Sequence, residues 1–99
     1  MIINVDLTTG ASVSDASTFT AFNARSTSDN EEVVGAAMGE AGHAADDAGH
    51  VWVSIDWIRS AVDGDPEWVA GFDAMADYAG SKGWMNDARS HILAHIEVE

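Results

Sequence analysis

Two histidines near the end of the chain, His91 and His95, sit four residues apart, and that interval could hold a metal ion or move a proton. On a helix such a pair shares one face and grips a single ion. On a strand the same interval spans about 13 Å, too far for two zinc–nitrogen bonds of about 2.1 Å to bridge. The segment Ser90-His91-Ile92-Leu93-Ala94-His95-Ile96-Glu97-Val98 alternates: Ile92, Ala94, Ile96 and Val98 point one way, and His91, Leu93, His95 and Glu97 the other. A period of two predicts a strand, so His91 and His95 do not chelate together. One arrangement survives, with His95 and Glu97 about 6.6 Å apart on one face and His50 as a third ligand from another strand. Isolated histidines on a wet sheet face are the ordinary alternative. No metal centre and no cofactor are expected.

His50-Val51-Trp52-Val53 reads as a second alternating strand, with Val51 and Val53 inward and His50 and Trp52 outward. If it lies beside the last strand, then His50, Trp52, His91, Leu93, His95 and Glu97 gather on one uncovered face. A tryptophan and a leucine there imply a cover: a second copy of the chain, a ligand, or the N-terminal segment. Under the ligand reading, a histidine titrating near neutrality beside Glu97 serves as general base. His50, His91, His95 and Glu97 are then the catalytic candidates.

Four tryptophans are many for 99 residues. Trp68 falls on an apolar helical stripe and belongs to the core. Trp57 and Trp84, with Trp52 and Leu93, are candidate interface anchors. Asp73 and Asp77, four apart on the same predicted helix, repel mildly and form an acidic display for a basic partner or for solvent. Asp63-Gly64-Asp65-Pro66-Glu67 begins like a calcium loop but lacks its glycine and its distant glutamate, and a turn followed by a helix cap explains it. No nucleophile elbow, phosphate-binding glycine loop or dinucleotide fingerprint occurs.

Composition narrows the function classes. No cysteine is present, which excludes disulfides, thiolate metal sites and cysteine nucleophiles. Seventeen acidic residues against four basic ones give a formal charge of −13. Such a surface cannot release counterions from phosphate, so direct nucleic-acid binding and anionic membranes are excluded as partners. It attracts a basic protein instead; acidity for solubility alone, as in a high-salt cytoplasm, accounts for the same balance. No apolar run reaches the roughly 20 residues of a membrane span. The first residues, Met1-Ile2-Ile3-Asn4-Val5-Asp6-Leu7, lack the basic region and apolar core of a signal peptide, so a cytoplasmic location is expected.

The elements that must position these residues follow from periodicity and punctuation. Ile3, Val5 and Leu7 alternate with polar neighbours as a first strand, ended by turn chemistry over residues 8–12. Residues 17–24, rich in Thr and Phe, read as a second strand pairing with the first. Ser28-Asp29-Asn30-Glu31 is a capping box for a helix with Val33, Val34, Ala37, Met38 and Ala41 along one stripe. Gly35 and Gly39 permit that helix to pack closely, and residues 42–49 read as loop. Ser54 caps a short helix from Ile55 to Val62. Asp65-Pro66-Glu67 starts a longer one, with Trp68, Phe72, Met75, Ala76 and Ala79 inward and Lys82-Gly83 at its end. The expected fold is therefore α+β: one domain spanning residues 1–99, with a small, mostly antiparallel sheet of about four strands and helices on one face. Two functions fit it. One is an acidic interaction module, of inhibitor, immunity or regulatory type, binding a basic partner. The other is a small, homodimeric enzyme or ligand-binding protein using His and Trp on the uncovered face.

Overall fold

A computed structural model describes all 99 residues. The chain runs β1 (Ile2–Asp6), β2 (Gly10–Ser14), β3 (Asn23–Ser26), α1 (Glu31–Met38), a 3-10 turn (Gly39–Ala41), β4 (Gly42–Ala44), β5 (His50–Ser54), α2 (Ile55–Val62), α3 (Pro66–Ser81) and β6 (His91–Val98). The fold is mixed α+β, as expected. Its sheet has six strands rather than four, in the order β2-β1-β3-β6-β5-β4. It is also less antiparallel than expected: β1 and β3 run parallel, as do β3 and β6, while β1–β2, β4–β5 and β5–β6 are antiparallel.

Two readings of the first third need correction. The turn expected over residues 8–12 is tighter, because the Asp6 side chain accepts from the Thr8 and Thr9 amides and folds the chain back at once. Leu7 is thereby left exposed and Gly10–Ser14 becomes the hairpin partner of β1. Residues 17–22 of the Thr/Phe stretch are turn and irregular chain, and β3 begins only at Asn23. Phe19 is held by tertiary contact instead: its ring meets Trp68 at 6.2 Å, and the Trp68 indole donates to the Ala16 carbonyl at 2.8 Å.

The cap of α1 also shifts by two residues. Asn30 is the N-cap, its side chain accepting from Glu32 and Val33, while Ser28 accepts from the Asn30 amide. Glu31 reaches across to accept from the Gly49 amide. Residues 42–44, expected as loop, form strand β4 on β5. Glycine makes this approach possible: a Cβ at Gly42 would run into the Trp52 carbonyl, and one at Gly35 into the Ala44 backbone. α2 and α3 begin where expected, with the Ser54 and Asp65 side chains accepting from the amides of Trp57 and Trp68.

Buried side chains from all three helices meet one face of the sheet. Val34, Met38, Ile58, Trp68, Phe72 and Met75 pack with Ile3, Val5, Ala24, Val51, Val53, Ile92, Ala94 and Ile96 in a single core. Trp68 and Phe72 stack at 5.1 Å. The opposite face carries no helix, and β6 joins its two halves: residues 96–98 pair with β3 and residues 91–95 with β5.

Candidate functional site

The open face divides by chemistry along β6. Towards β3, β1 and β2 it is polar: Glu97 stands in register with Arg25, Arg25 with Asn4, and Asn4 with Ser12. Such a surface needs no cover. Towards β5 and β4 it is aromatic. Trp52 lies opposite Leu93 on one side and His43 on the other. The far edge of β6 is completed by the segment Trp84–Asn86, through the Leu93 amide on the Trp84 carbonyl at 2.7 Å, the Asn86 amide on the His91 carbonyl at 3.2 Å and the bridge between Met85 and Ile92. Trp84, Leu93, Trp52 and His43 therefore form one cross-strand row, about 14 Å wide at the usual strand spacing.

Rows on either side hold the remaining histidines. His50 is in register with His95 and their ring centres lie 5.2 Å apart. His91 is in register with Ser54 and stands diagonally next to His43, ring centres 4.9 Å apart. All four histidines of the chain thus flank Trp52 on one face. The pairs are held differently. His50 Nδ1 meets the Ala48 carbonyl at 3.0 Å, an acceptor only, so Nδ1 carries a proton, and in the neutral ring the lone pair is on Nε2. His91 Nδ1 meets the Ser90 hydroxyl, which can donate or accept, at 2.7 Å and the Asn86 carboxamide nitrogen at 3.5 Å. Burial, and then the neighbouring His43, hold the His91 imidazole below its ordinary pKa, against a weaker opposite pull from Asp56.

Beside the strip opens an apolar cleft of about 400 Å³ bounded by Phe19, Phe22, Met75, Tyr78, Trp84 and Leu93. It lies where the Trp84–Asn86 segment stops and β3 has not begun. Trp84 is 45% exposed and Tyr78 57%, and their rings meet at 6.1 Å. Lys82 extends over the Tyr78 ring at 5.5 Å.

Of the residues singled out from the sequence, His50, Trp52, His91, Leu93 and His95 converge, and Trp84 joins them. Glu97 occupies the polar half of the face, across from Arg25. Trp57 packs against the core from α2, outside the strand rows. Asp73 and Asp77 are on α3, and each meets an arginine: Asp73 with Arg59 at 2.7 Å and Asp77 with Arg89 at 3.5 Å. The N-terminal segment does not cover the strip, since β1 and β2 sit at the other end of the sheet.

Sequence reasoning missed His43, Tyr78 and the Asn86–Ser90–His91 cluster. Gly42-His43-Ala44 contains no β-branched residue, so nothing marked it as strand. Asn86 had a legible signal, an Asn four residues before a Ser at the end of a turn. Its carboxamide oxygen accepts from the Ser90 and His91 amides and shapes the approach to β6. No family model, curated protein or solved structure matches this chain.

Proposed function

We infer that this protein is a binding module for a basic protein segment, engaged on the aromatic half of the open sheet face. The observation that carries the reading is the Trp84–Leu93–Trp52–His43 row with its adjoining cleft: an apolar and aromatic surface on the sheet face that no helix covers, on a chain of charge −13. Exposed aromatic groups beside a small apolar cavity are the anatomy of an interface anchor site. Arginine and lysine suit it doubly, because their stems cover apolar surface while their charges favour both the acidic field and the aromatic faces. Lys82 over Tyr78 displays that contact within the chain itself.

Tryptophan emission gives a direct test, because Trp52 and Trp84 stand at the proposed contact. Titration with Lys/Arg-rich peptides bearing one Leu or Phe anchor should shift the emission saturably, and added salt should weaken the binding. Trp52→Ala and Trp84→Ala should each weaken it on the order of tenfold or more. Binding unchanged by both substitutions, or indifferent to salt, overturns the reading.

A further inference from the structure

We propose that His50 and His95 form a two-histidine binding site for a borderline divalent ion, represented by Zn²⁺. The site is built by register. In an antiparallel ladder, directly opposed side chains leave the sheet on the same side with their Cβ atoms about 5 Å apart, and β5 and β6 place these two imidazoles in such a position. Two imidazoles sharing one tetrahedral ion through bonds of about 2.1 Å have ring centres roughly 5 Å apart. His50 and His95 stand at 5.2 Å, with their planes inclined by 69°.

The tautomer of the neutral His50 ring suits a ligand. A metal-binding histidine commonly donates its second ring N–H to a carbonyl or carboxylate, which fixes the tautomer and aims the free nitrogen. The Ala48 carbonyl does this for His50. His95 is exposed, and its ring is not committed to an intramolecular hydrogen bond, so it can turn to meet the ion. The other pair lacks this preparation. His91 Nδ1 meets the Ser90 hydroxyl, which can donate or accept, and the Asn86 carboxamide, so no lone acceptor fixes its tautomer as the Ala48 carbonyl does for His50.

The surroundings favour a cation. Asp29 and Glu31 line the same groove as His95 and lend it a negative field. No third His, Asp or Glu converges on the pair, so water completes the coordination and the ion stays exchangeable. Imidazole nitrogens select zinc, copper or nickel over magnesium and calcium, which prefer oxygen ligands.

Calorimetric titration of the whole chain with Zn²⁺, in a non-coordinating buffer containing excess Mg²⁺, tests this. Mg²⁺ occupies diffuse carboxylate sites and leaves the imidazole pair free. Binding of one equivalent is expected, weakened on the order of tenfold or more by His50→Ala and by His95→Ala, but retained in His43→Ala. In the unaltered protein, the His50 and His95 ring resonances should shift first and together during the titration. Three results overturn the proposal: no saturable Zn²⁺ binding, equal losses in His43→Ala and His50→Ala, or first perturbation at His43 and His91. None of these depends on a protein partner, so failure here would leave the binding-module reading standing, and the reverse.

Discussion

At the scale of single residues, the face is organised by what each imidazole nitrogen meets. His91 is biased towards its neutral form: its ring is partly withdrawn from water, and His43 stands 4.9 Å away. The direction of the pH effect follows. In the unfolded chain the ring titrates at its ordinary 6.5, whereas in the fold it titrates lower. Between those two values the unfolded state binds the extra proton, so stability rises with pH and is lost as pH falls below 6.5 towards the folded value. The carboxylates act in a separate window. Backbone amides hold Asp6 below its ordinary 3.8 and Glu31 below 4.5, so their contribution disappears only under stronger acid. Urea melts at about pH 7.5 and about pH 5.5 should therefore show a loss of stability on acidification that His91→Gln reduces. An unchanged pH dependence in that variant would show that His91 titrates alike in both states.

At the scale of elements, the site depends on β4, the shortest strand and the least legible. His43 reaches the aromatic row only because Gly42 lets β4 lie against the Trp52 carbonyl. Gly42→Ala forces a methyl group into backbone and should cost about 1–3 kcal/mol in a denaturant melt. It should also separate the His43 and His91 rings, visible as loss of contacts between their protons in an NMR spectrum. A fully stable variant with those contacts intact would show that the strand can shift to make room. The same element explains what the sequence disclosed and what it hid. β5, β6 and α3 were legible because alternating Val and Ile, or Pro after an N-cap Asp, act locally and strongly. Which of their side chains share a face followed from pattern alone. The convergence of His50, Trp52, His91, Leu93 and His95 also needed β5 to lie beside β6, a condition of the sequence-based expectation that the structure supplies. β2 had its own period of two, Ala11 and Val13 against Ser12 and Ser14, but the glycine at its start suggested a longer turn. β4 had no local signal at all. Its strand state is imposed by α1 above it and β5 beside it, and tertiary placement of that kind leaves no periodicity to read. The parallel pairing of β3 with β1 and β6 is likewise a long-range outcome, to which four residues of Asn-Ala-Arg-Ser gave no clue.

At the scale of the whole molecule, the charge decides between acidity that serves solubility and acidity that serves recognition. Two ion pairs, both exposed, relieve little of the −13. The molecule measures 33 × 26 × 21 Å, comparable to the Debye length of about 30 Å at 0.01 M salt and well beyond about 8 Å at 0.15 M. In dilute buffer every carboxylate therefore feels the others, and salt should stabilise the fold by screening them. If the relief is on the order of 1 kcal/mol, the melting temperature should climb by about 4–8 °C between low and moderate salt. A flat salt dependence would mean that self-repulsion does not limit this fold. Recognition of a basic segment has the opposite sign, since the same ions that steady the free protein weaken its hold on a cationic partner. A chain acidic only for solubility gains stability with salt and shows no preference among peptides. A binding module gains stability while losing affinity, and the residual affinity at high salt measures what the Trp52, Leu93 and Trp84 surface contributes without charge. Measuring both slopes on one preparation therefore separates the field from the aromatic row that it serves.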